Sequence, residues 1–323
     1  MSAAGPSELS DVPELRDLAL SRSGVDRATA RRGDDEWLAA AWADPRTRVL
    51  VVHDGQALVR FGDGAAELVF VPPAQAPDGI RFLQGIDAGG IVYFGVIAPP
   101  PDPDPEPESG DHAGLSGARP ASLREAGPLL SDRDAGLMTH AVALANWHAV
   151  HGHCPRCGAV TEPVQSGSAR RCVADGSEHF PRLDPAVIML VTDPDDRCLL
   201  ARNAQWPERR VSILAGFVEP GESAEQAVAR EVHEETGITV SSVRYVASQP
   251  WPMPHSLMLG FRARATGNLE ITVDSEEIAE AYWFSRDELR DAIASGEIRL
   301  PSPVSIAHRI IEAWYGASLD GSW

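Results

Sequence analysis

The sequence predicts a protein of mixed α+β and α/β class, with a mostly-β N-terminal domain, a zinc-ribbon-like insert and a C-terminal α/β/α sandwich. Three observations support this prediction. Short apolar strand patterns recur between residues 47 and 97, a Cys-x-x-Cys-Gly motif begins at Cys154, and an amphipathic helix pattern lies between strand patterns after residue 216. Strands with a helix inserted between them are typical of a layered α/β domain.

The composition is that of a globular protein large enough for two domains. The chain has 323 residues, of which 43% are hydrophobic and 23% charged, and its net charge is −19. This charge argues against DNA as a partner, although bound metals would still admit small anionic substrates. No apolar run has the length of a membrane helix, and the N-terminus lacks the basic and apolar regions of a secretory signal. We therefore expect no membrane partner and a cytoplasmic location.

Residues 1–98 are predicted to form the mostly-β domain. One helix is expected at residues 34–42, and strands are expected at residues 47–52, 56–60, 67–71, 81–84 and 91–97. Asp54-Gly55 is the turn of a predicted hairpin between the first two strands. No pattern in this domain indicates chemistry, so we expect it to serve packing or dimer contact.

A Pro- and acid-rich linker is predicted at residues 99–131, because its run PPPDPDPEPESGD cannot build a core. A connecting helix is predicted at residues 132–153, where apolar residues follow helical spacing. Three histidines near its end are not assigned to a site, since histidines there more often interact with the helix terminus: His148, His151 and His153.

Residues 154–181 are predicted to form the zinc-ribbon-like module. A structural zinc takes four ligands in a tetrahedron, usually from Cys and His. The sequence offers Cys154, Cys157, Cys172 and Asp175, with His179 as the alternative to Asp175. Other interpretations are a ribbon that folds without metal, a catalytic zinc with an open position, and a redox pair at the Cys-x-x-Cys motif. The four cysteines do not form a disulfide framework, which agrees with a reducing cytoplasm.

The segment GFVEPGESAEQAVAREVHEETGI at residues 216–238 carries the strongest chemical signal. Ser223 and Gln226 form a capping-box pattern that starts a helix, and a glycine is placed to end it. Three acids at positions i, i+3 and i+4 are expected to share one face of this helix: Glu231, Glu234 and Glu235. Such acids raise one another's pKa, and a hard divalent cation relieves the repulsion. The alternative is a solvated acidic helix without a cation.

Residues 182–316 are predicted to form the α/β/α domain around this helix, followed by a tail at residues 317–323. Further strands are expected at residues 186–191, 198–202, 211–214, 242–248, 258–265, 270–273 and 281–284, and two closing helices at residues 287–295 and 305–314. The sequence SQPWPMPHS at residues 248–256 contains three prolines. It predicts a stiff loop that loses little entropy when a ligand binds.

Residues 216–238 resemble the signature of the Nudix hydrolases, G-x5-E-x7-R-E-U-x-E-E-x-G-U with U aliphatic, at every fixed position. SQPWPMPHS is similar to the SQPWPFPxS motif of the NADH pyrophosphatase, or NudC-like, branch of that family, with Met253 in place of Phe. The resemblance covers most of the chain except the linker. It departs at Asp175, where the branch has a fourth cysteine.

The resemblance implies a complete set of site residues. The catalytic residues would be Glu231, Glu234 and Glu235. Mg²⁺ or Mn²⁺ would be held by Glu231, Glu235 and the carbonyl of Ala215. A later acid would complete the site; Glu277 is the preferred candidate, and Glu276 and Glu280 are the alternatives. Substrate would be contacted by Phe217, Ala307, the partner subunit's Phe180 and the loop residues Gln249, Pro250, Trp251, Pro252, Met253, Pro254, His255 and Ser256. The structural residues of the signature would be Gly216, Glu222, Arg230 and Gly237, with Arg230 paired to Glu222.

The activity that the resemblance implies is metal-dependent hydrolysis of the pyrophosphate bond of NADH or NAD⁺ to AMP and nicotinamide mononucleotide. Removal of NAD caps from RNA 5′ ends would be a further reaction, because the scissile bond is the same. A homodimer is also implied. Two other interpretations stand beside this one: a broader dinucleotide, ADP-ribose or sugar-nucleotide pyrophosphatase, and a catalytically silent nucleotide-sensing zinc-ribbon protein. For Trp251, base stacking and packing of the loop are both open.

Overall fold

The computed structural model describes residues 15–99, 116–273 and 275–320, which form two compact units. The N-terminal unit consists of Ala19–Leu183 with Pro250–Ser256, and the C-terminal unit consists of Met1–Leu18, Asp184–Gln249 and Leu257–Trp323. Residues 100–115 of the predicted linker and residues 321–323 of the predicted tail lie outside the described residues. Within the described ranges, no helix combines the length and the apolar character needed to cross a membrane.

The N-terminal unit contains a mixed seven-stranded sheet, three helices and a small three-stranded sheet. Its elements are β1 (Val25–Asp26), α1 (Asp35–Ala43), β2 (Arg48–His53), β3 (Gln56–Phe61), β4 (Ala66–Leu68), β5 (Ile80–Asp87), β6 (Val92–Ile97), β7 (Arg119–Ser122), α2 (Leu123–Ala126), α3 (Asp132–Val150), β8 (Thr161–Val164), β9 (Ala169–Cys172) and β10 (Glu178–His179). The large sheet has the order β1-β5-β6-β2-β3-β4, with β7 paired to β3. β2 and β6 are parallel, whereas β1 and β5, β5 and β6, β2 and β3, β3 and β4, and β3 and β7 pair antiparallel.

Most predicted elements of this unit are found within three residues of their predicted ends. The strand predicted at residues 67–71 is shorter, because after β4 only Val71 continues the pairing, through a single bridge to Val49. The last part of the predicted linker is structured: β7 pairs with β3, and α2 follows directly. Ala121, Leu123 and Leu130 are buried there, so these few apolar residues decide the structure against the acidic composition of the run before them.

The small sheet has the order β10-β9-β8 and is joined to α3 by a buried polar network. His148 is buried, and its Nε2 lies 2.9 Å from the carbonyl of Gly167. Arg170 donates to His148 Nδ1 at 2.9 Å and to the Thr161 hydroxyl at 2.7 Å. Burial, together with the nearby Arg170, lowers the pKa of His148 to about 4 against the effect of the Gly167 carbonyl. His148 is therefore a neutral core residue, which differs from the predicted role at a helix end.

The C-terminal unit is a six-stranded sheet with helices on both faces. Its elements are β11 (Asp184–Thr192), β12 (Cys198–Asn203), β13 (Leu214–Phe217), α4 (Ala224–Thr236), β14 (Thr239–Trp251), β15 (Ser256–Thr266), β16 (Ile278–Phe284), α5 (Arg286–Ser295) and α6 (Ile306–Tyr315). The strand order is β14-β15-β11-β12-β16, with β13 paired to β11.

Alternation along β11 separates two cores, because successive side chains of a strand point to opposite faces. Val187 and Met189 pack with Val228 and other apolar residues of α4. Ile188 and its neighbours on the other face pack with residues of α5 and α6, among them Ile310. The mixed α/β class and the α/β/α sandwich predicted from the sequence are therefore confirmed.

Two predicted strands of this unit differ from the structure. Residues 270–273 contain no strand; Thr272 instead donates its N–H to the carbonyl of Thr236 at the end of α4, at 2.9 Å. The strand predicted at residues 211–214 begins at Leu214, and Ser212 forms only an isolated bridge with Ala201. Each segment contributes apolar side chains to a core, Val211 and Ile213 in one and Ile271 and Val273 in the other. Such side chains suggested strands, but burial alone does not specify strand pairing.

Candidate active site

Helix α4 begins and ends through local hydrogen bonds that fix its acidic residues in place. Ser223 Oγ accepts from the N–H of Gln226 at 3.2 Å, and the Gln226 side chain accepts from the N–H of Ser223 at 2.8 Å. This reciprocal pair is a complete capping box. The helix ends at Gly237, whose φ of 70° is left-handed and therefore favours glycine.

The three acids predicted to share a face of α4, namely Glu231, Glu234 and Glu235, do not share one environment. Glu231 and Glu235 are buried, with 9% and 6% of their surface exposed, whereas Glu234 is exposed. Residues at i and i+4 lie one above the other on a helix, and the residue at i+3 lies to the other side of position i. The predicted common face is therefore made by Glu231 and Glu235, and Glu234 lies at its solvent edge.

Glu235 is a buried carboxyl group in an acidic surrounding. Its Oε2 has no hydrogen-bond partner among the described residues. Burial, and after it the charges of Glu231, Glu277 and Glu234, raises its pKa to about 8. An unsatisfied buried carboxylate among other carboxylates has the donor chemistry that a hard divalent cation takes, so these residues fit Mg²⁺ or Mn²⁺.

Arg230, on α4, connects the end of strand β13 to acidic residues of the loop and of α4. Its guanidinium donates to both carboxylate oxygens of Glu222, at 2.8 and 2.9 Å, and to the carbonyl of Phe217 at 2.9 Å. It also donates to Glu231 Oε1 at 2.8 Å and to Glu234 Oε2 at 3.0 Å. Arg230 lowers the pKa of Glu222, whereas burial raises the pKa of Glu231 in spite of Arg230.

Sequence reasoning paired Arg230 with Glu222 alone and missed its bonds to Glu231 and Glu234. The i, i+4 spacing between Arg230 and Glu234 was an available signal for one of them. Because Arg230 already neutralises part of Glu231 and Glu234, Glu235 is the acid of α4 whose charge is left without a described partner.

Strand β13 has a glycine at the point where the side chain of Glu231 approaches it. Gly216 pairs with Val187 of β11, and a Cβ built on it would lie 1.9 Å from Glu231 Cδ and 2.1 Å from Glu231 Oε1. Such distances are far shorter than any van der Waals contact, so the glycine is required by a close approach and not by its backbone conformation. The neighbouring Ala215 and Phe217 are exposed, and Phe217 has 57% of its surface accessible.

Of the later acids, Glu277 is the one whose charge acts on both buried glutamates. It raises the pKa of Glu231 and of Glu235. Glu280 forms an ion pair with Arg202 at 3.3 Å. Which of these acids is a cation ligand stays a prediction.

Two residues expected to contact substrate have buried side chains. Gln249 is fully buried, and its Nε2 donates to the carbonyl of Val304 at 2.9 Å. Ala307, on the first turn of α6, is 1% exposed and packs in the core that α5 and α6 share. The Oε1 atom of Gln249 has no hydrogen-bond partner among the described residues, and the substrate contacts of both residues stay predictions.

The remaining substrate residues belong to the N-terminal unit. Phe180 follows β10 and is 63% exposed. The proline-rich loop is shorter than predicted, because β14 continues to Trp251 and β15 begins at Ser256. Trp251 is half-buried, and the guanidinium of Arg124 lies 4.8 Å from the centre of its ring.

A second candidate metal centre lies in the ribbon. Across the parts of the chain that the structure describes, one set of ligand atoms lies within 4.8 Å of one another: those of Cys154, Cys157, Cys172 and Asp175. Cys157 Sγ and Cys172 Sγ are 3.5 Å apart, and the four cysteines of the chain are free thiols. Three sulfurs and one carboxylate oxygen are a donor set that a structural zinc accepts.

The surroundings act in opposite directions on the ligands of this cluster. Against the N–H groups of Asp175 and Ala174, burial and the side chains of Asp175 and Cys157 raise the pKa of Cys172 to about 11. Against the effect of burial, the N–H groups of Arg156 and Cys157 and the hydroxyl of Ser177 lower the pKa of Cys154 to about 6. Ser177 donates its hydroxyl and its N–H to Asp175, at 2.5 and 2.9 Å, and lowers the pKa of Asp175 to about 2. His179 instead bonds the Ser177 hydroxyl at 3.1 Å and is not part of the cluster.

Glu235 is expected to make the stability of the cation-free protein depend on pH. Its carboxyl binds more protons in the folded state than in the unfolded state between its ordinary pKa of 4.5 and its folded pKa of about 8. The free energy of unfolding should therefore fall as pH rises through this interval, by up to about 1.4 kcal/mol per pH unit. Urea denaturation of wild type and Glu235→Gln across this range measures it, and the variant should show the smaller slope.

Added Mg²⁺ provides the matching test. Near the upper end of the interval it should raise the melting temperature of wild type more than that of Glu235→Gln, since a cation that binds only the folded state stabilises it. Equal slopes and equal responses in the two proteins would contradict the placement of Glu235 in an acidic cation site.

The comparisons with known proteins agree with this geometry. The NUDIX domain family matches residues 182–301, and the NADH pyrophosphatase zinc ribbon domain matches residues 150–180. An NAD-capped RNA hydrolase NudC from Mycobacterium bovis is 44% identical over 317 residues, which cover 93% of this chain and 96% of that protein. The NAD-capped RNA hydrolase NUDT12 from Homo sapiens is 41% identical over 197 residues, which cover 57% of this chain and 42% of that protein.

Among solved structures, a NUDIX hydrolase from Nitrosomonas europaea is similar over 42% of this chain and 78% of its own, at 24% identity and a TM-score of 0.37. That likeness adds nothing to the assignment. The assignment depends on the two matched domains and on a relative that is alike over nearly its whole length. The chain is a Nudix hydrolase and belongs to the NudC-like branch of that family.

Proposed function

We propose that this enzyme hydrolyses the pyrophosphate bond of NADH and NAD⁺, giving AMP and nicotinamide mononucleotide, and that it also removes NAD caps from RNA 5′ ends. The observation that carries the proposal is the buried, unsatisfied carboxyl group of Glu235 among Glu231, Glu234 and Glu277. The substrate follows from the likeness to relatives named NAD-capped RNA hydrolases and from the NADH pyrophosphatase zinc ribbon.

Glu231, Glu235 and Glu277, with the backbone carbonyl of Ala215, are the groups that would hold Mg²⁺ or Mn²⁺. When bound, such a cation supplies Lewis-acid stabilisation of phosphate charge and lowers the pKa of a coordinated water. The protein's own part is positional. Arg230 ties Glu222, the Phe217 carbonyl and two acids of α4 into one rigid unit, and Gly216 leaves room for Glu231.

The acids of α4 differ in what they can do with a proton. Glu235 is buried and has a raised pKa, so in the cation-free protein it holds a proton at neutral pH. Glu234 has 58% of its side chain exposed. We assign cation binding to the buried pair Glu231 and Glu235, and proton transfer to one of the three acids Glu231, Glu234 and Glu235.

Products on a substrate panel test the proposal. With Mg²⁺ or Mn²⁺ present, NADH and NAD⁺ should yield AMP and the matching mononucleotide, and NAD-capped RNA should yield nicotinamide mononucleotide and RNA with a 5′-monophosphate. Activity on ADP-ribose equal to that on NADH would favour the broader pyrophosphatase instead. Binding of NADH without release of AMP would favour a silent nucleotide-sensing protein and overturn the proposal.

We also propose one structural zinc per chain, held by Cys154, Cys157, Cys172 and Asp175. Elemental analysis of freshly purified wild type should give one zinc per chain. Asp175→Cys should retain zinc against a chelator longer than wild type, because thiolate is a softer ligand for zinc than carboxylate. His179→Ala is the matched control and should leave the zinc content unchanged. Zinc-free wild type, or loss of zinc in the control alone, would contradict this ligand set.

The enzyme is further proposed to be a cytoplasmic homodimer. Free thiols throughout the chain agree with a reducing compartment. Sedimentation at several protein concentrations tests the dimer directly.

A further inference from the structure

Asn146, on the last turns of α3, contacts the proline-rich loop Pro250–Ser256 within the N-terminal unit. Its side-chain Nδ2 donates to the carbonyl of Pro252 at 2.7 Å and lies 3.4 Å from the carbonyl of Pro254. Two carbonyl oxygens require a donor, so this geometry fixes the orientation of the amide group. One side chain therefore holds two alternate residues of the loop.

The three prolines of the loop limit the hydrogen bonds that its backbone can donate. Pro250, Pro252 and Pro254 carry no N–H group, so they cannot donate hydrogen bonds of their own. Within the loop, the N–H of Met253 donates to the carbonyl of Trp251 at 2.7 Å. The carbonyls of Pro252 and Pro254 accept hydrogen bonds from Asn146, so this side chain supplies a donor that the prolines cannot.

Side-chain packing does not replace this anchor. A cavity of 470 Å³ lies beside the contact, and its lining includes Asn146, Val142, Val150, Met253 and Pro254. Val150 is 70% exposed. Since Met253 and Pro254 border open space, the hydrogen bonds of Asn146 carry more of the positioning than they would in a packed core.

A second anchor acts on the side chain at the start of the loop. The guanidinium of Arg124, at the beginning of α2, lies 4.8 Å from the ring centre of Trp251. Arg124 is exposed to solvent, so this contact is the weaker of the two anchors. Backbone and side-chain anchors thus come from two helices of the same unit.

We propose that Asn146 is a positioning residue for nucleotide binding, which holds the loop in its binding conformation, and that Arg124 assists it through Trp251. The inference rests on the proposed function, in which this loop binds the nucleotide. Asn146 acts through the loop, so its loss should weaken substrate binding more than it slows turnover.

Asn146→Asp is the decisive variant, because it keeps the shape of the side chain but replaces the amide donor with an acceptor that repels both carbonyls. We expect KM for NADH to rise about tenfold or more, which corresponds to the loss of roughly one hydrogen bond to a loop that must be re-ordered on binding, while kcat changes about threefold at most. Hydrogen exchange of the peptide spanning residues 249–256 should become faster at its remaining N–H groups.

Asn268→Asp is the matched control. It makes the same change of charge at an exposed turn, where the carboxylate oxygen can still accept the hydrogen bond that Asn268 now accepts from the N–H of Glu270. It should leave KM, kcat and loop exchange unchanged. Arg124→Gln loosens the loop at its other anchor and should raise KM in the same direction by about threefold, as loss of a cation–π contact implies.

The outcomes separate this inference from the proposed function. Unchanged KM and unchanged exchange in Asn146→Asp would overturn it, as would faster exchange with unchanged KM, because the held loop would then not serve nucleotide binding. A rise in KM that Asn268→Asp reproduces would also overturn it. Failure of the proposed function is seen in wild type instead, as the absence of AMP release from NADH.

Discussion

Replacing Glu235 with glutamine is expected to lower kcat by about three orders of magnitude while the protein stays folded. Glu235 is 6% exposed, its Oε2 has no hydrogen-bond partner among the described residues, and the charges of three other acids raise its pKa. Its negative charge is therefore the part of the acidic cluster that is free to meet a cation. Glutamine has nearly the same volume but no charge, so the change removes that charge without creating a cavity.

Steady-state release of AMP from NADH measures this effect, with circular dichroism and the melting temperature as measures of folding. The matched control is Glu225→Gln, on the exposed first turn of the same helix, which should keep wild-type kcat. In the absence of divalent cations, Glu235→Gln should be as stable as wild type or more stable near neutral pH, because a buried carboxyl with a raised pKa destabilises the folded state when it ionises. A kcat close to that of wild type would refute the assignment of Glu235.

Adding a single methyl group at Gly216 is expected to lower kcat by about two orders of magnitude or more. The new Cβ would lie 1.9 Å from Glu231 Cδ, so the carboxyl group of Glu231 must leave its position. That movement also breaks the 2.8 Å bond from Arg230 to Glu231. Because the clashing atoms are at the end of a flexible side chain, the strand itself can remain in place, and activity should fall much more than stability.

Gly62→Ala is the control for Gly216→Ala, since no atom lies within 4 Å of a Cβ at Gly62. Its kcat and melting temperature should match wild type. A double variant tests the mechanism: Gly216→Ala should cost little further activity in a Glu231→Gln background if both act through the same carboxyl group. Full additivity of the two effects would mean that the methyl group acts elsewhere, for example on the pairing of β13 with β11.

Elements with a periodic pattern or a local end signal were predictable from the sequence. Helix α4 is the clearest example, since its capping box at Ser223 and its terminal Gly237 depend on residues within a few positions of one another. The alternation of Val187 and Ile188 on β11 likewise specifies two buried faces. Segments without such signals were not predictable: Ile271 and Val273 pack against the core in an alternating pattern, yet residues 270–273 contain no strand.

The candidate site shows the same division. The residue types and spacing at Glu231, Glu234 and Glu235 predicted an acidic cluster, and the four candidate zinc ligands of the ribbon, with Asp175 as the fourth, lie close together in the structure. The burial of Gln249 and Ala307 was not predictable, because it depends on segments distant in sequence, such as the carbonyl of Val304 that meets Gln249. From a single sequence, a residue that binds substrate cannot be distinguished from a residue of the same motif that is buried in the core.

By itself the sequence determined the family, the two-faced sheet with its acidic helix, and the candidate ligands of two predicted metal centres, because each depends on residue type and short spacing. Tertiary structure alone decided which acids are buried, that Arg230 neutralises part of Glu231 and Glu234, and that Asn146 holds a loop more than 100 residues away in the chain. Electrostatic interactions, burial and side-chain contacts depend on distances between atoms, and these distances are set only when segments far apart in the sequence pack together.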